Sequence, residues 1–191
     1  MRSALVLTLM LATACSAVRN VHVRPDYEQV DRTQTLRLAV VTAPLPDGDE
    51  QLGLLWSEIA RRYVNDKRDF IASVQRAADE LPQDVCEPPL EGVLHLEPSV
   101  SLKGNGVEAE VSASLFRCSD REVIWSAEGG GSWKSDDDLF TDTIATYVER
   151  YGEGVEPYVA PSFRLLRAVL DTLPRPEITD DDAVMEKIEL D

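Results

Sequence analysis

The chain has 191 residues and carries 35 acidic against 19 basic side chains, a formal net charge of −16. That length suits one domain with a proper core, and an acidic surface repels nucleic-acid backbones, whose binding rests on clustered Lys and Arg. Only His22 and His95 could join Cys86 and Cys118 in a metal site, and none of the four has the close spacing that four-ligand zinc sites use.

Met1, Arg2 and Ser3 precede an apolar run over residues 4–12, and Thr13 and Ala14 lead directly to Cys15. A basic start, a short apolar core and small residues are the anatomy of a bacterial secretory signal. The cysteine that follows them resembles a lipobox, the signal for diacylglyceryl attachment. The run falls short of the ~20 residues that cross a bilayer. Residues 1–14 are therefore expected to be a lipoprotein signal peptide, removed before an acylated Cys15 carrying palmitate-like chains. Ser16, in place of an aspartate, leans toward the outer membrane, with the body facing the periplasm. From residue 16 to 35 the chain is polar, with scattered valines and Pro25, so 15–35 is expected to be a flexible tether.

The folded body is expected over 36–174. Residues 36–42 contain the continuous apolar stretch Leu38, Ala39, Val40 and Val41, which suits a strand covered on both faces. Asp47, with Glu50 three residues on, reads as a helix start. Leu52, Leu55, Trp56, Ile59 and Tyr63 then share a helical face, with Glu58, Arg61, Arg62 and Asn65 on the other side. Residues 70–74 read as a second strand, parallel to the first through a right-handed crossover. A short helix is expected over 75–81. Pro82, Pro88 and Pro89 then constrain a loop carrying Cys86.

An antiparallel meander follows. Residues 92–102 form one strand, and Gly104, Asn105 and Gly106 offer a tight turn. Val107, Ala109, Val111, Ala113 and Leu115 alternate with Glu108, Glu110, Ser112 and Ser114, giving one buried and one wet face. Val123 begins the last strand. Pairing about the Gly104 turn sets Cys118 opposite the start of the preceding strand, close after Cys86. With Cys15 acylated, Cys86 and Cys118 are the even pair expected to bridge in an oxidising compartment.

The last third reads as helical. Phe140, Ile144, Tyr147, Val148 and Tyr151 share a face up to Gly152. Residues 156–161 link to a second helix with Phe163, Leu166, Val169, Leu170 and Leu173, stopped by Pro174. Residues 175–191, with Asp180, Asp181 and Asp182, are expected to be a solvated acidic tail with at most one or two helical turns. The fold class is α+β: a single domain with a mixed sheet, a βαβ unit followed by an antiparallel meander, packed by helices including two at the C-terminal end.

Candidate chemistry fails on residue type. Gly129, Gly130 and Gly131 lead to Lys134 and Ser135, but a phosphate loop needs glycine directly before its lysine, and Trp133 stands there. Asp136, Asp137 and Asp138 then place negative charge where a nucleotide would sit, so no nucleotide is expected and the glycines read as a bend or bulge at a strand end. His95 lies inside a strand, and a Cys–His pairing with Cys86 or Cys118 would need a free thiol. No catalytic, cofactor or metal residues are assigned.

Several phrases look familiar together: Gly92-Val93-Leu94-His95-Leu96, Val123-Ile124-Trp125-Ser126-Ala127 running into the three glycines, and Pro157-Tyr158-Val159-Ala160-Pro161-Ser162-Phe163 through Leu173-Pro174. They resemble an uncharacterised lipoprotein family of myxobacteria and leptospires over nearly the whole mature chain. The order of elements is more distantly similar to the periplasmic module of the curli secretion lipoprotein CsgG, of LpoB and of the amino-terminal domain of TolB. That resemblance implies assembly, channel or activator parts. The expected function is thus a non-enzymatic, lipid-anchored envelope protein. It would be held to the membrane by acyl chains on Cys15 and engaged with an envelope protein partner or with itself. The alternative from another class is an envelope hydrolase or small-ligand carrier using acidic pocket residues.

Overall fold

A computed structural model describes residues 18–45, 49–77, 85–135, 137–178 and 181–190. Cys15, the signal segment and Asp47 lie outside them. Six strands form one mixed sheet: β1 (Val18–Val23), β2 (Arg37–Thr42), β3 (Ile71–Ala77), β4 (Gly92–Lys103), β5 (Gly106–Arg117) and β6 (Val123–Lys134), in the order β1-β6-β5-β4-β2-β3. β2 pairs in parallel with β3 and with β4, while β4, β5, β6 and β1 pair antiparallel. The helices are the single turn α1 (Asp31–Gln34), α2 (Glu50–Arg68), α3 (Thr141–Tyr151), α4 (Glu156–Leu170) and α5 (Asp181–Leu190). The expected α+β class, the βαβ unit and the meander are all present.

The core lies between one face of the sheet and α2, α3 and α4. Leu55, Trp56 and Ile59 of α2 meet Leu38 and Val40 of β2, and Leu165, Leu166 and Val169 of α4 meet the inward residues of β5 and β6. Each such side chain, fully buried, stabilises the fold by about 1.5–3 kcal/mol. On the reverse face, Ala39, Val41 and Val93 are covered by Val85, Leu90 and the two cysteines. β2 is therefore buried on both sides, as its unbroken apolar run required. Pro98 sits in β4 just past the last β2 pairing, Thr42 with Leu96, where its missing N–H costs no ladder bond on that side.

Four local expectations change. The start of α2 is capped by Asp49, whose carboxylate accepts from the Leu52 N–H at 3.0 Å. Residues 75–77, expected as helix, continue β3 alongside Val40, Val41 and Thr42, because pairing with a neighbouring strand outweighs local propensity. The glycine run is not a bend: β6 continues to Lys134, and Gly131 is small because the Trp133 indole folds over it, within 2.7 Å of where a Cβ would stand. Residues 156–161 are already the first turns of α4, with a proline at its tolerated start. The turn at Gly104 forms as expected, with φ +61°.

The two flanking segments are structured as well. The proposed tether contributes β1, α1 and the fully buried Tyr27, whose hydroxyl donates to the Pro174 carbonyl at 3.2 Å. Scattered valines that lacked a helical period were alternating strand residues, and they needed β6 beside them to be recognised. The acidic tail contributes α5, whose Ala183 packs on Leu36 and Ile71, while Glu186 accepts from Arg37 at 3.0 Å.

Candidate interaction surfaces

Cys86 and Cys118 are joined in a disulfide, with Cα atoms 5.4 Å apart. The meander register brings this about: Gly92 faces Arg117, and the Cys118 N–H donates to the Glu91 carbonyl at 2.8 Å. The Glu91 carboxylate also accepts from the Leu36 and Arg37 N–H groups at 2.7 and 2.9 Å, so the bridge and the start of β2 are tied at one residue. With both sulfurs bonded, His95 has no thiol to activate there. It is nearly buried, edge-on to Phe116, with Nδ1 3.3 Å from Glu97. Burial lowers its pKa, partly opposed by the Glu97 charge.

Beside the bridge, the Arg117 guanidinium contacts fully buried Asp31 of α1 and also Asp120, while Arg24 reaches Asp26, Asp120 and Glu122. This network fastens the N-terminal segment to the β5–β6 turn. Burial raises the Asp31 carboxyl despite Arg117 and Arg24, whereas hydrogen bonds from Arg117 hold Asp120 at about 2.

A second cluster sits on the helical side. Glu58, expected on the solvent side of α2, is buried, and its carboxylate accepts from Arg61 at 3.2 Å, Arg62 at 2.9 Å and Arg150 of α3 at 3.1 Å. α2 packs against α3 and α4 as well as the sheet, so the apolar face alone did not reveal its second contact. Burial alone would raise Glu58, but the hydrogen bonds and charges of Arg61 and Arg62 prevail and hold it below the usual range. Asn65, also placed outside by periodicity, is buried and exchanges two hydrogen bonds with the Ala72 backbone, at 2.7 and 3.2 Å. Asn65→Ala is expected to cost about 1–3 kcal/mol, since two buried backbone groups lose their partner; a urea titration measures it.

Glu58 and Asp120 are more acidic folded than unfolded. The stability they contribute is present above the pKa values of the unfolded chain and is lost as the pH falls through the lowered folded ones, about 2 for Asp120. Asp31, with its raised pKa, opposes this in sign. Urea midpoints measured at descending pH are expected to drop most steeply within that window, and Glu58→Gln is expected to flatten the drop.

Next to the cluster a groove of about 420 Å³ opens between α2 and α3, lined by Arg62, Asp66, Lys67, Asp142 and Tyr147, with Phe163 of α4. Arg62 lies over the Tyr147 ring, 5.8 Å from its centre. The Tyr147 hydroxyl is buried without a hydrogen-bond partner among the described residues, and burial pushes its pKa up to about 12. Among the described residues no group of three or more His, Cys, Asp or Glu is arranged to hold a metal ion, and no helix is long and apolar enough to cross a membrane.

The remaining surfaces belong to the sheet. Over β5 and β6 its reverse face is polar, with Glu97, Ser112, Ser114, Ser126 and Glu128 around a shallow depression. β1 is an outer strand of the sheet, bulged between Arg19 and His22, with Asn20 at φ +55°. Val23 stands opposite Trp125, on the core side of the sheet, yet Val21, Val23 and neighbouring Val123 are 47, 37 and 39% exposed. At the other edge α5 lies against β3 and presents Val184, Met185 and Ile188 outward.

The fold is similar to that of the PelC dodecamer from Paraburkholderia phytofirmans, at 18% identity over 84% of this chain and 98% of that one, with a TM-score of 0.50. Weaker likenesses are to a hypothetical protein of Chlamydia trachomatis (16% identity, 72% and 94% covered, TM-score 0.46) and to lipoprotein GNA1162 from Neisseria meningitidis (12%, 60% and 96%, 0.36). At such identities the likeness extends to the fold. No family model and no curated sequence matches the chain.

Proposed function

We propose that this is a non-enzymatic lipoprotein of the bacterial cell envelope, exported by residues 1–14, acylated on Cys15 and held at the outer membrane facing the periplasm. It works by binding other protein chains, foremost copies of itself. The observation that carries this reading is the β1 edge, an outer strand of the sheet on which Val21 and Val23 remain exposed. The likeness to PelC, described as a dodecamer, supports self-association on the same fold. The element order is also compatible with the module of CsgG, LpoB and TolB and with the lipoprotein family of myxobacteria and leptospires. The bridge between Cys86 and Cys118 suits an oxidising compartment.

Native mass spectrometry of the acylated full-length protein, extracted in several mild detergents, tests this function. A discrete oligomer is expected, with dissociation in a Val21→Lys/Val23→Lys variant, because lysines on an edge strand oppose pairing. A monomer in every detergent overturns it.

The groove beside Tyr147 favours a second reading, a small-ligand carrier using acidic pocket residues, since Asp66 and Asp142 line it across from Arg62 and Lys67. Asp66→Asn/Asp142→Asn would then abolish ligand uptake while leaving the oligomer intact.

A further inference from the structure

Surface helices bury an apolar stripe and leave their charges in water, and α5 reverses that arrangement. Toward its own sheet it offers Ala183, packed on Leu36 and Ile71, and Lys187, whose ammonium donates to the Asn65 and Phe70 carbonyls. Its larger apolar side chains point the other way: Val184, Met185 and Ile188 are 41, 58 and 62% exposed. Asp181, Asp182 and Glu189 stand three or four residues from Met185, the spacing of neighbours on one helix surface. The outward face is therefore an apolar centre with acidic positions before and after it.

A concavity of matching character lies on the helical side. A groove of about 330 Å³ is walled by Tyr63 of α2, by Phe163, Arg164 and Arg167 of α4, and by Leu139 and Phe140 of the single turn before α3. It adjoins the groove between α2 and α3, with Tyr63 and Phe163 common to both. Its walls are held in place by their own contacts. The Phe140 ring lies 5.7 Å from that of Phe163, and the Arg164 guanidinium sits over it at 5.6 Å. The Leu139 N–H donates to one oxygen of Asp137 at 3.2 Å and Arg164 donates to the other at 2.9 Å, so the turn is pinned with Leu139 85% exposed at the mouth. At the rim Arg167, 75% exposed, approaches Asp171 only to 4.0 Å, a surface pairing worth little, and the same carboxylate already accepts from the Tyr63 hydroxyl.

We infer that α5 of one copy docks in the Leu139 groove of another. Val184, Met185 and Ile188 meet Leu139, Phe140 and Phe163, and the acids around Met185 meet Arg164 and Arg167. An apolar helix face laid into an apolar groove is an established mode of recognition. Charge complementarity selects α5 as the occupant: residues 180–191 hold six acids and one lysine, and that lysine is turned inward, whereas both charged residues that wall the groove are arginines. A molecule does not fill its own groove, because α4 packs over β5 and β6 while α5 packs on β3, beyond β4 and β2 in the sheet. Unlike surfaces on different sides make a head-to-tail contact in which each copy gives a helix and receives one. This rests on the self-association in the proposed function and gives it a contact distinct from the β1 edge.

The test uses the acylated full-length chain in mild detergent, with Val184→Cys in one preparation and Asp138→Cys, beside the groove, in another. Cys86 and Cys118 are spent in their bridge, so a short bismaleimide reports the introduced thiols. A cross-linked dimer is expected when the two preparations are mixed and in neither alone. Adding Leu139→Glu to the Asp138→Cys chain, or Met185→Glu/Ile188→Glu to the Val184→Cys chain, is expected to remove most of that product. All three side chains are exposed, so the urea midpoint is expected to stay unchanged. No product in the mixture, a product that survives Leu139→Glu, or cross-linking of either preparation with itself overturns the inference. Native mass spectrometry separates the two failures. A monomer in every detergent removes the proposed function and this contact together, whereas an oligomer that Val21→Lys/Val23→Lys dissociates, with no link from 184 to 138, removes this contact alone.

Discussion

Arg117→Leu is expected to destabilise the domain by about 3–5 kcal/mol, the cost of leaving a buried charge without its partner. Asp31 is fully buried and one of its oxygens already has no hydrogen-bond partner among the described residues, so the loss of Arg117 strands the whole carboxylate. Asp120 loses its guanidinium too, and the link between α1 and the β5–β6 turn goes with it. Hydrogen exchange is expected to show early opening of the segment from β1 to α1, ahead of the β4–β6 meander. The double variant Asp31→Leu/Arg117→Leu is expected to recover much of the loss, since a buried pair replaced by apolar groups is often neutral. A urea titration of the two single variants and the double variant closes the cycle.

Removal of the disulfide ranks next. The bridge spans 32 residues of chain, and constraint of the unfolded ensemble by a loop of that size is worth roughly 3–4 kcal/mol. Cys86→Ser/Cys118→Ser, or reduction of the native protein, is expected to lower the urea midpoint accordingly. The effect should concentrate on the reverse face of β2, where Val85 and the bridge cover Ala39, Val41 and Val93. Amides of β2 and of the start of β4 are expected to lose protection before those of β5 and β6. Equal protection in the bridged and unbridged chains would show that this cover depends on packing alone.

Surface function follows from where apolar groups remain after the core is filled. Val21 and Val23 stand on β1 at one edge of the sheet, and the exposed Val184, Met185 and Ile188 of α5 lie beside β3 at the other, so the molecule carries two unlike apolar edges. A head-to-tail contact between unlike surfaces of this kind closes into a ring or runs on as a filament, according to its rotation. The polar reverse face over β5 and β6, with its glutamates and serines, would then face a common side of any such assembly.

The residues alone determined what depends on short-range pattern. The buried strand β2, the long helix α2, the alternating strand β5, the turn at Gly104 and the opposition of Cys118 to the β4 start are all written as local periods, because side-chain direction repeats every two residues in a strand and every 3.6 in a helix. The same local logic raises the expectation of acylation at Cys15, which lies outside the described residues. Only tertiary structure decided the rest. β1 is a strand because β6 lies beside it, residues 75–77 are strand because β2 does, and Glu58 and Asn65 are buried because α2 has neighbours on more than one side. These outcomes arise from partners far away in sequence, whose pairing and burial outweigh the weak preferences of the segments themselves.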